Sequence, residues 1–300
     1  MIVAVSGASG FVGRHLLRLL EDSGHEVRAL VRGKRQDSPR GGIPWDPDRG
    51  ALDPEAFSGV DAVVNLAGER IAQRWTTGRK SRIRTSRVRA TETIVRAMLA
   101  ARPRPTVLIS GSAVGYYGDR GDEPLSEQSH PGGDFLAGVA MEWERATAPA
   151  SEAGIRVALL RTGVVLGVDG GALARMLPPF TLGLGGPIGS GRQWMSWIAL
   201  EDVGRALLFL LQASGASGPV NLVSPNPVRN AEFARALGVA VRRPAILPLP
   251  AFLLALAFGE MARGTLLASQ RAMPERLDQL GFRWRFPMLA EALGFELARG

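Results

Sequence analysis

The chain has no cysteine in its 300 residues, which excludes thiol nucleophiles, disulfides and zinc–thiolate centres. Lysine is nearly as scarce. Lys34 and Lys80 are the only two, so arginine carries almost all the positive charge. Tyrosine occurs only at Tyr116 and Tyr117, and the histidines are His15, His25 and His130. His130 sits in a Ser-His-Pro-Gly loop and reads as solvated, while His15 and His25 flank the first helix and read as surface. No apolar run is long enough to span a bilayer. The most apolar late stretch, residues 247–258, contains Pro248 and Pro250 and reads as a buried or groove-lining helix. Met1 leads directly into a strand and a tight turn, so no signal peptide is expected, and a cytoplasmic location follows by default. There are no internal repeats, no low-complexity tail and no cluster of metal-ligating residues.

The balance of 46% hydrophobic and 21% charged residues is that of a soluble globular enzyme. The net charge is +8, densest at Arg70, Arg74, Arg79, Lys80, Arg82, Arg84, Arg87 and Arg89. Such a cluster attracts anionic ligands or nucleic acid, or it is simply the solvated face of a helix with Ile83, Val88 and Ile94 beneath it. Aromatic residues suited to stacking bases are missing from it, which argues against nucleic acid.

Residues 2–13 read IVAVSGASGFVG. A short apolar strand turns at Ser6-Gly7 and enters a helical pattern, with glycines spaced G-x-x-G-x-x-G, a relative of the dinucleotide fingerprint. Gly7 permits the tight turn, Gly10 lets the main chain approach a pyrophosphate, and Gly13 lets the helix pack on the sheet. The helix N-terminus offers free N–H groups to phosphate. Ser9, Phe11 and Val12 join the three glycines as candidate cofactor contacts. Nineteen residues after Gly13, at the tip of the second strand, stands Arg32 rather than an acidic residue. An acidic residue there holds a ribose 2′-hydroxyl, whereas arginine accommodates a 2′-phosphate. NADP is therefore expected over NAD.

Strand-like runs at 27–31, 62–66, 106–110 and 157–160 alternate with helical ones, including a short acidic helix, the arginine-rich helix and one over 134–153. This pattern predicts a doubly wound parallel Rossmann sheet of the α/β class with a small, mostly helical C-terminal lobe. Residues 183–193 form a glycine-rich loop before an aromatic strand at 194–198. A helix at 200–212 and a strand at 219–223 return to the sheet. The expected division is 1–169 plus 199–225 for the nucleotide-binding domain, and 170–198 plus 226–300 for a substrate lobe.

The motifs SGASGFVG (6–13), VVNLAGE (63–69), ISGSAVGYYG (109–118) and LRTGVVLG (160–167) resemble the extended short-chain dehydrogenase/reductase superfamily. The segments at 189–207, 218–237, 247–262 and 273–282 are similar to an atypical subgroup labelled nucleoside-diphosphate-sugar epimerases. The resemblance implies an NADP-binding domain, contacts to the cofactor from Leu66, Ala67 and Gly68, and a homodimer through the long helix near 79–101. The superfamily's chemistry uses a serine and a Tyr-x-x-x-Lys pair, in which tyrosine exchanges a proton and lysine holds the nicotinamide ribose. At the matching positions this chain has Phe135 and Val139.

The resemblance assigns Ser112 to the substrate hydroxyl; it also reads as an ordinary strand-end serine. Tyr116 and Tyr117 could supply a phenolic proton or simply pack in the loop. Without a lysine beside it, a phenol is a poor base at neutral pH but an adequate acid. Glu69 is a further acid or base candidate, or it pairs with an arginine such as Arg70. Arg192, Gln193 and Trp194 could bind an acidic or phosphorylated substrate, or belong to a surface hairpin. The function expected is an NADP(H)-binding oxidoreductase or epimerase acting on a small carbonyl, hydroxyl or nucleotide-sugar substrate. The alternative is a catalytically silent NADP(H)-binding sensor or scaffold.

Overall fold

The computed structural model describes residues 1–33 and 42–299. Its strands are β1 (Ile2–Ser6), β2 (Glu26–Arg32), β3 (Ile43–Asp46), β4 (Ala51–Leu52), β5 (Ala62–Asn65), β6 (Val107–Ala113), β7 (Pro124–Leu125), β8 (Arg156–Thr162), β9 (Val164–Leu166), β10 (Trp194–Met195), β11 (Trp197–Ala199), β12 (Gly218–Leu222), β13 (Val228–Arg229) and β14 (Arg271–Ala272). The helices are α1 (Phe11–Asp22), α2 (Thr77–Ala100), α3 (Phe135–Arg145), α4 (Ala148–Glu152), α5 (Leu173–Thr181), α6 (Leu200–Gln212), α7 (Asn230–Ala240), α8 (Ala251–Phe258), α9 (Glu275–Gln279) and α10 (Leu289–Ala298).

Eight strands form one sheet in the order β12-β8-β6-β5-β1-β2-β3-β4. All neighbours are parallel except β3 and β4. The period-two alternation of the central strands sends side chains to both faces. Val3, Val5, Ala62, Val64, Val107 and Ile109 meet Leu16, Leu20, Leu207 and Leu210 of α1 and α6. Ala4, Val63 and Leu108 meet Ile94, Met98 and Ala150 of α2 and α4 on the other side. Helices on both faces make the sheet doubly wound, a Rossmann architecture. The strand order reverses between β1 and β5, and the crevice beyond their carboxyl ends is where such folds bind ligands.

A second core joins Trp197, Phe233, Leu237, Leu289 and Leu293 in the helical C-terminal part. That part is stitched to the sheet. Buried Asp202 at the start of α6 accepts the main-chain N–H groups of Arg285 and Phe286 at 2.9 and 2.8 Å, and Leu277 and Phe282 pack in the core beneath the sheet.

Several local expectations are corrected. The single helix expected over 134–153 is two, α3 and α4, because Pro149 cannot donate within a continuing helix and instead occupies the first turn of a new one. The aromatic stretch at 194–198 is two short strands in different sheets, β10 pairing with β13 and β11 with β9. The acidic helix is one 3-10 turn, Pro54–Phe57, capped by Asp53. The β3–β4 hairpin was not legible. His15, read as surface, is buried and stands 3.7 Å from Glu201. The segment 247–258 is less covered than expected. In α8 only Leu254 is buried, while Phe252 and Leu256 are 69% and 73% exposed. No helix among the described residues is long and apolar enough to cross a membrane.

Candidate functional site

At the end of β1, Gly7 has φ +68°, the left-handed region that favours glycine. The turn is too tight for side chains. A Cβ on Gly7 would lie 2.6 Å from the Leu66 carbonyl oxygen, and one on Gly13 would lie 2.2 Å from the Gly7 oxygen. The Gly10 N–H donates to the Gly7 oxygen at 2.9 Å. No side chain caps the start of α1, which leaves its first N–H groups directed at the crevice. The Phe11 ring turns away, under Gly167, Gly170 and Gly171, and Val12 packs against the core. Both therefore offer main-chain N–H groups to a ligand. Ser9 is exposed beside them.

The strand ends are locked together by polar side chains that the sequence did not single out. Ser6 Oγ donates to Asn65 Oδ1 at 2.6 Å, and Asn65 Nδ2 donates to Thr91 Oγ1 at 2.9 Å. Asn65 Oδ1 also takes the Ala67 N–H at 3.3 Å. A polar residue closing an apolar strand was the available signal. At the tip of β2, Arg32 is exposed and lines an open cleft with Trp45, Asp46 and Asp53. Those carboxylates bind main-chain N–H groups, Asp46 those of Asp48 and Arg49, and Asp53 that of Glu55. Arg32 has no ion-pair partner among the described residues.

Along β6 and β8 a closed polar network fills the interior. Ser112 Oγ donates to Glu144 Oε1 at 2.7 Å. Arg161 grips the same carboxylate with both ends of its fork, Nε at 2.8 Å from Oε1 and Nη2 at 2.9 Å from Oε2. Its Nη1 donates to Tyr117 Oη at 3.1 Å and to the Glu127 carbonyl at 3.0 Å. Tyr117 donates to Asn221 Oδ1 at 2.6 Å. Tyr117 is fully buried, and burial pushes its pKa up to about 12, against the opposing pull of Arg161. Burial alone would lower the Arg161 pKa, but hydrogen bonding and charge from Glu144 raise it overall. Tyr116 stands differently. It is half-buried, with the Arg161 guanidinium 3.5 Å from its ring centroid.

Glu69 pairs with Arg79 at 3.0 Å rather than with Arg70. Its carbonyl accepts from Arg87 Nη2 at 3.1 Å, and its N–H donates to Ser86 Oγ at 3.0 Å. Gly68 faces the Arg87 guanidinium, whose Cζ would lie 3.2 Å from a Cβ there. Phe135 and Val139 hold the first turns of α3. Phe135 packs edge-on against Trp75 at 5.1 Å, with Lys80 Nζ 4.7 Å from its ring. Val139 is buried with Ile83 and Met261.

Arg192, Gln193 and Trp194 lie in a second group. Buried Gln193 ties two loops together, donating to the carbonyls of Ile188 and Leu266, both at 3.1 Å. The guanidinium groups of Arg229 and Arg271 stand 4.7 and 4.6 Å from the Trp194 ring centroid. Its Nε1 donates to Asp122 Oδ1 at 2.8 Å. That hydrogen bond leads the interactions holding the Asp122 carboxyl below its usual range. Arg192 is exposed, and its carbonyl accepts from Arg229. Apart from Arg32 in its cleft at the tip of β2, the sequence candidates fall into three places: the glycine turn with 66–69, the Ser112–Tyr117 network, and the 192–194 group. Asn65, Thr91, Glu144, Arg161 and Arg87 complete the first two. No group of three or more His, Asp or Glu among the described residues could hold a metal.

A glycine turn at the switch point of a doubly wound sheet defines a dinucleotide-type α/β protein. The family model "NAD dependent epimerase/dehydratase family" matches residues 3–222, and "Domain of unknown function (DUF1731)" matches 249–295. The chain belongs to the NAD-dependent epimerase/dehydratase family. It is 46% identical over 299 residues to epimerase family protein Mb2239 of Mycobacterium bovis, covering 99% of this chain and 98% of that one. The crystal structure of human epimerase family protein SDR39U1 with NADPH superposes with a TM-score of 0.90 at 35% identity, covering 99% of both chains. A nucleoside-diphosphate sugar epimerase from Corynebacterium glutamicum gives 0.82 at 39% identity, over all of this chain and 58% of that one.

Proposed function

We propose that the chain binds NADP(H) across the glycine turn and uses it for oxidoreductase or epimerase chemistry on a small carbonyl or hydroxyl substrate. The observation that carries this reading is the side-chain-free turn of Gly7, Gly10 and Gly13 against an uncapped helix N-terminus. The turn fits a pyrophosphate, whose oxygens would take the N–H groups of α1. The human relative crystallised with NADPH supports the same reading. Arg32, exposed and without an ion-pair partner among the described residues, fits the 2′-phosphate. Leu66, Ala67 and Gly68 border the cofactor from the β5 side. A bound nicotinamide would give or take hydride.

In this proposal the division of the chain follows function, with 1–169 plus 199–225 holding the cofactor and 170–198 plus 226–300 shaping the substrate pocket. Tyr116 is the proton donor, because Tyr117 is enclosed and its hydroxyl already occupied. Ser112, whose hydroxyl donates to Glu144, offers its lone pairs to a substrate hydroxyl. Glu69, Arg192, Gln193 and Trp194 border the substrate side. Phe135 and Val139, where the superfamily has tyrosine and lysine, favour the second reading, a binder of NADP(H) without turnover.

NADPH and NADH titrations of wild type and Arg32→Ala test the cofactor assignment. Arg32→Ala is expected to weaken NADPH about tenfold and leave NADH unchanged; equal losses for both would sink it. Following NADPH oxidation over a carbonyl and nucleotide-sugar panel separates the two readings. Turnover lost in Tyr116→Phe supports the enzyme. Tight NADPH binding with no turnover on any substrate supports the silent binder.

A further inference from the structure

We propose that the apolar face built by α8 and the turns beside it docks this protein onto a membrane surface of anionic lipids, without crossing it. The inference is independent of the cofactor reading. α8 reads AFLLALAF, with no polar side chain on any side. A helix apolar all round belongs inside a protein or against lipid, yet only Leu254 is buried. Its neighbours share that exposure. Of the eleven large hydrophobic side chains that stand exposed among the described residues, nine fall in the segments 182–184, 239–249 and 252–256. The main chain binds these segments to one another. The Leu247 N–H donates to the Gly185 oxygen at 3.2 Å, the Leu249 N–H to the Pro187 oxygen at 2.8 Å, and the Gly189 N–H to the Leu249 oxygen at 2.9 Å. Gly186 sits so close that a Cβ on it would lie 2.1 Å from the Leu247 oxygen. Ile246, Phe252 and Leu256, at 75%, 69% and 73% exposure, thus stand outward on a hydrogen-bonded frame. A contiguous apolar face of this kind marks an interaction site.

Charge identifies the occupant. Between Asp169 and Glu201, and again between Glu232 and Glu260, the sequence has no acidic residue and carries Arg175, Arg192, Arg235, Arg242 and Arg243. Three of these arginines border the face. Arg235 precedes Val239 by one turn of α7 and is exposed on the same side. Arg242 is exposed just past the end of α7 with φ +54°. Glycine is the usual residue in that position, so a cation is kept there against backbone preference. Arg243 Nε donates to the Thr181 oxygen at 3.1 Å, which ties the 182–184 turn to this edge. At the far end of α8, Arg74 donates to the Leu256 and Ala257 carbonyls at 2.8 and 3.4 Å. The flanking carboxylates are engaged: Glu260 pairs with Lys80 at 2.7 Å, and Glu232 accepts the Arg229 N–H at 2.8 Å. A second copy seated here about a two-fold axis would bring the same arginines together, whereas anionic headgroups meet them with opposite charge. With eight residues, α8 is about 12 Å long, against a bilayer core of about 30 Å. It therefore lies in the plane of the interface.

The test is co-sedimentation of the full chain with vesicles of phosphatidylcholine alone and of equal parts phosphatidylcholine and phosphatidylglycerol, at low and high salt. Wild type is expected to bind the phosphatidylglycerol vesicles about tenfold more tightly than the neutral ones, and less tightly as salt rises. Phe252→Ser/Leu256→Ser should weaken that binding about tenfold. Arg242→Gly, which also relieves the backbone, should weaken it about threefold. Both variants are expected to melt no lower than wild type. Should the serine variant melt lower, a dye pair decides. Because the chain has no cysteine, a polarity-sensitive dye on Ala257→Cys reads the face without removing a large apolar side chain. Its emission should shift to the blue on phosphatidylglycerol vesicles, while the same dye on Ser217→Cys, exposed just before β12, should not shift. The proposal is overturned if wild type binds neither vesicle, or binds both equally. It is also overturned if the serine variant binds as wild type does, or if both dyes shift alike, since overall positive charge would then explain the adsorption. A dimer that the serine variant abolishes, with no vesicle binding, would give the face to a second copy instead.

Discussion

Two arginines near the carboxyl ends of the sheet strands behave in opposite ways. Arg161, on β8, is enclosed with a carboxylate that matches its fork and with a tyrosine hydroxyl beside it. Arg87, on α2, is packed against an indole and a glycine with only carbonyls to bind. The first is self-sufficient and holds the site's scaffold; the second has no carboxylate within ion-pair distance among the described residues. Glu296 on α10 shows a third solution. It is 2% exposed, and burial, with Glu201 adding and Arg299 opposing, pushes its pKa up to about 7. It stays inside by holding its proton. These three interior charges are therefore paired with a carboxylate, held by carbonyls, or neutralised.

The contrast can be broken most severely at Glu144. Glu144→Ala leaves Arg161 buried and unpaired, and should lower unfolding free energy by about 3–5 kcal/mol, read from urea denaturation. The double variant Glu144→Met/Arg161→Met should lose less than Glu144→Ala alone; an equal or larger loss would show that the network's charge is not what matters. Next is Glu296. The folded state keeps its proton where the unfolded chain has released it. This contribution is therefore full below about pH 4.3 and is lost as pH rises to about 7, on the order of 2–3 kcal/mol. Glu296→Gln should flatten that slope in urea unfolding between pH 4.5 and 7.5, and an unchanged slope would contradict the assignment.

A smaller effect should come from giving Arg87 its own carboxylate. Gly68→Asp places one beside the guanidinium, at the cost of a shift of a few tenths of an ångström in a flexible side chain. The protein should gain about 1 kcal/mol, read as a higher melting temperature. A lower melting temperature would mean that Arg87 is not short of a counter-charge. The smallest change is expected for Ser112→Ala, which removes one donor to a carboxylate that Arg161 still holds. A loss of about 1 kcal/mol in urea unfolding is expected; a loss as large as that of Glu144→Ala would make Ser112 central to the network.

Much of the frame was legible because it depends on short-range pattern. The alternation of strands and helices, the glycine spacing and the arginine at the tip of β2 are read within a few tens of residues, and the parallel sheet follows from them. Ser112 and Tyr117 were legible as positions but not as members of one network. Their partners Glu144, Arg161 and Asn221 lie on α3, β8 and β12, up to 104 residues away in the case of Tyr117 and Asn221. Arg87 was hidden among eight basic residues that composition alone could not tell apart. α2 turns Arg82 and Arg89 to solvent and Arg87 toward β5.

The sequence by itself determined the doubly wound class and the glycine turn of Gly7, Gly10 and Gly13, because backbone conformation and hydrophobic period are local properties. Only the tertiary structure decided which charges are closed and which are open. Desolvation and pairing depend on what distant elements bring within hydrogen-bond reach: a carboxylate from α3 for Arg161, and only carbonyls among the described residues for Arg87.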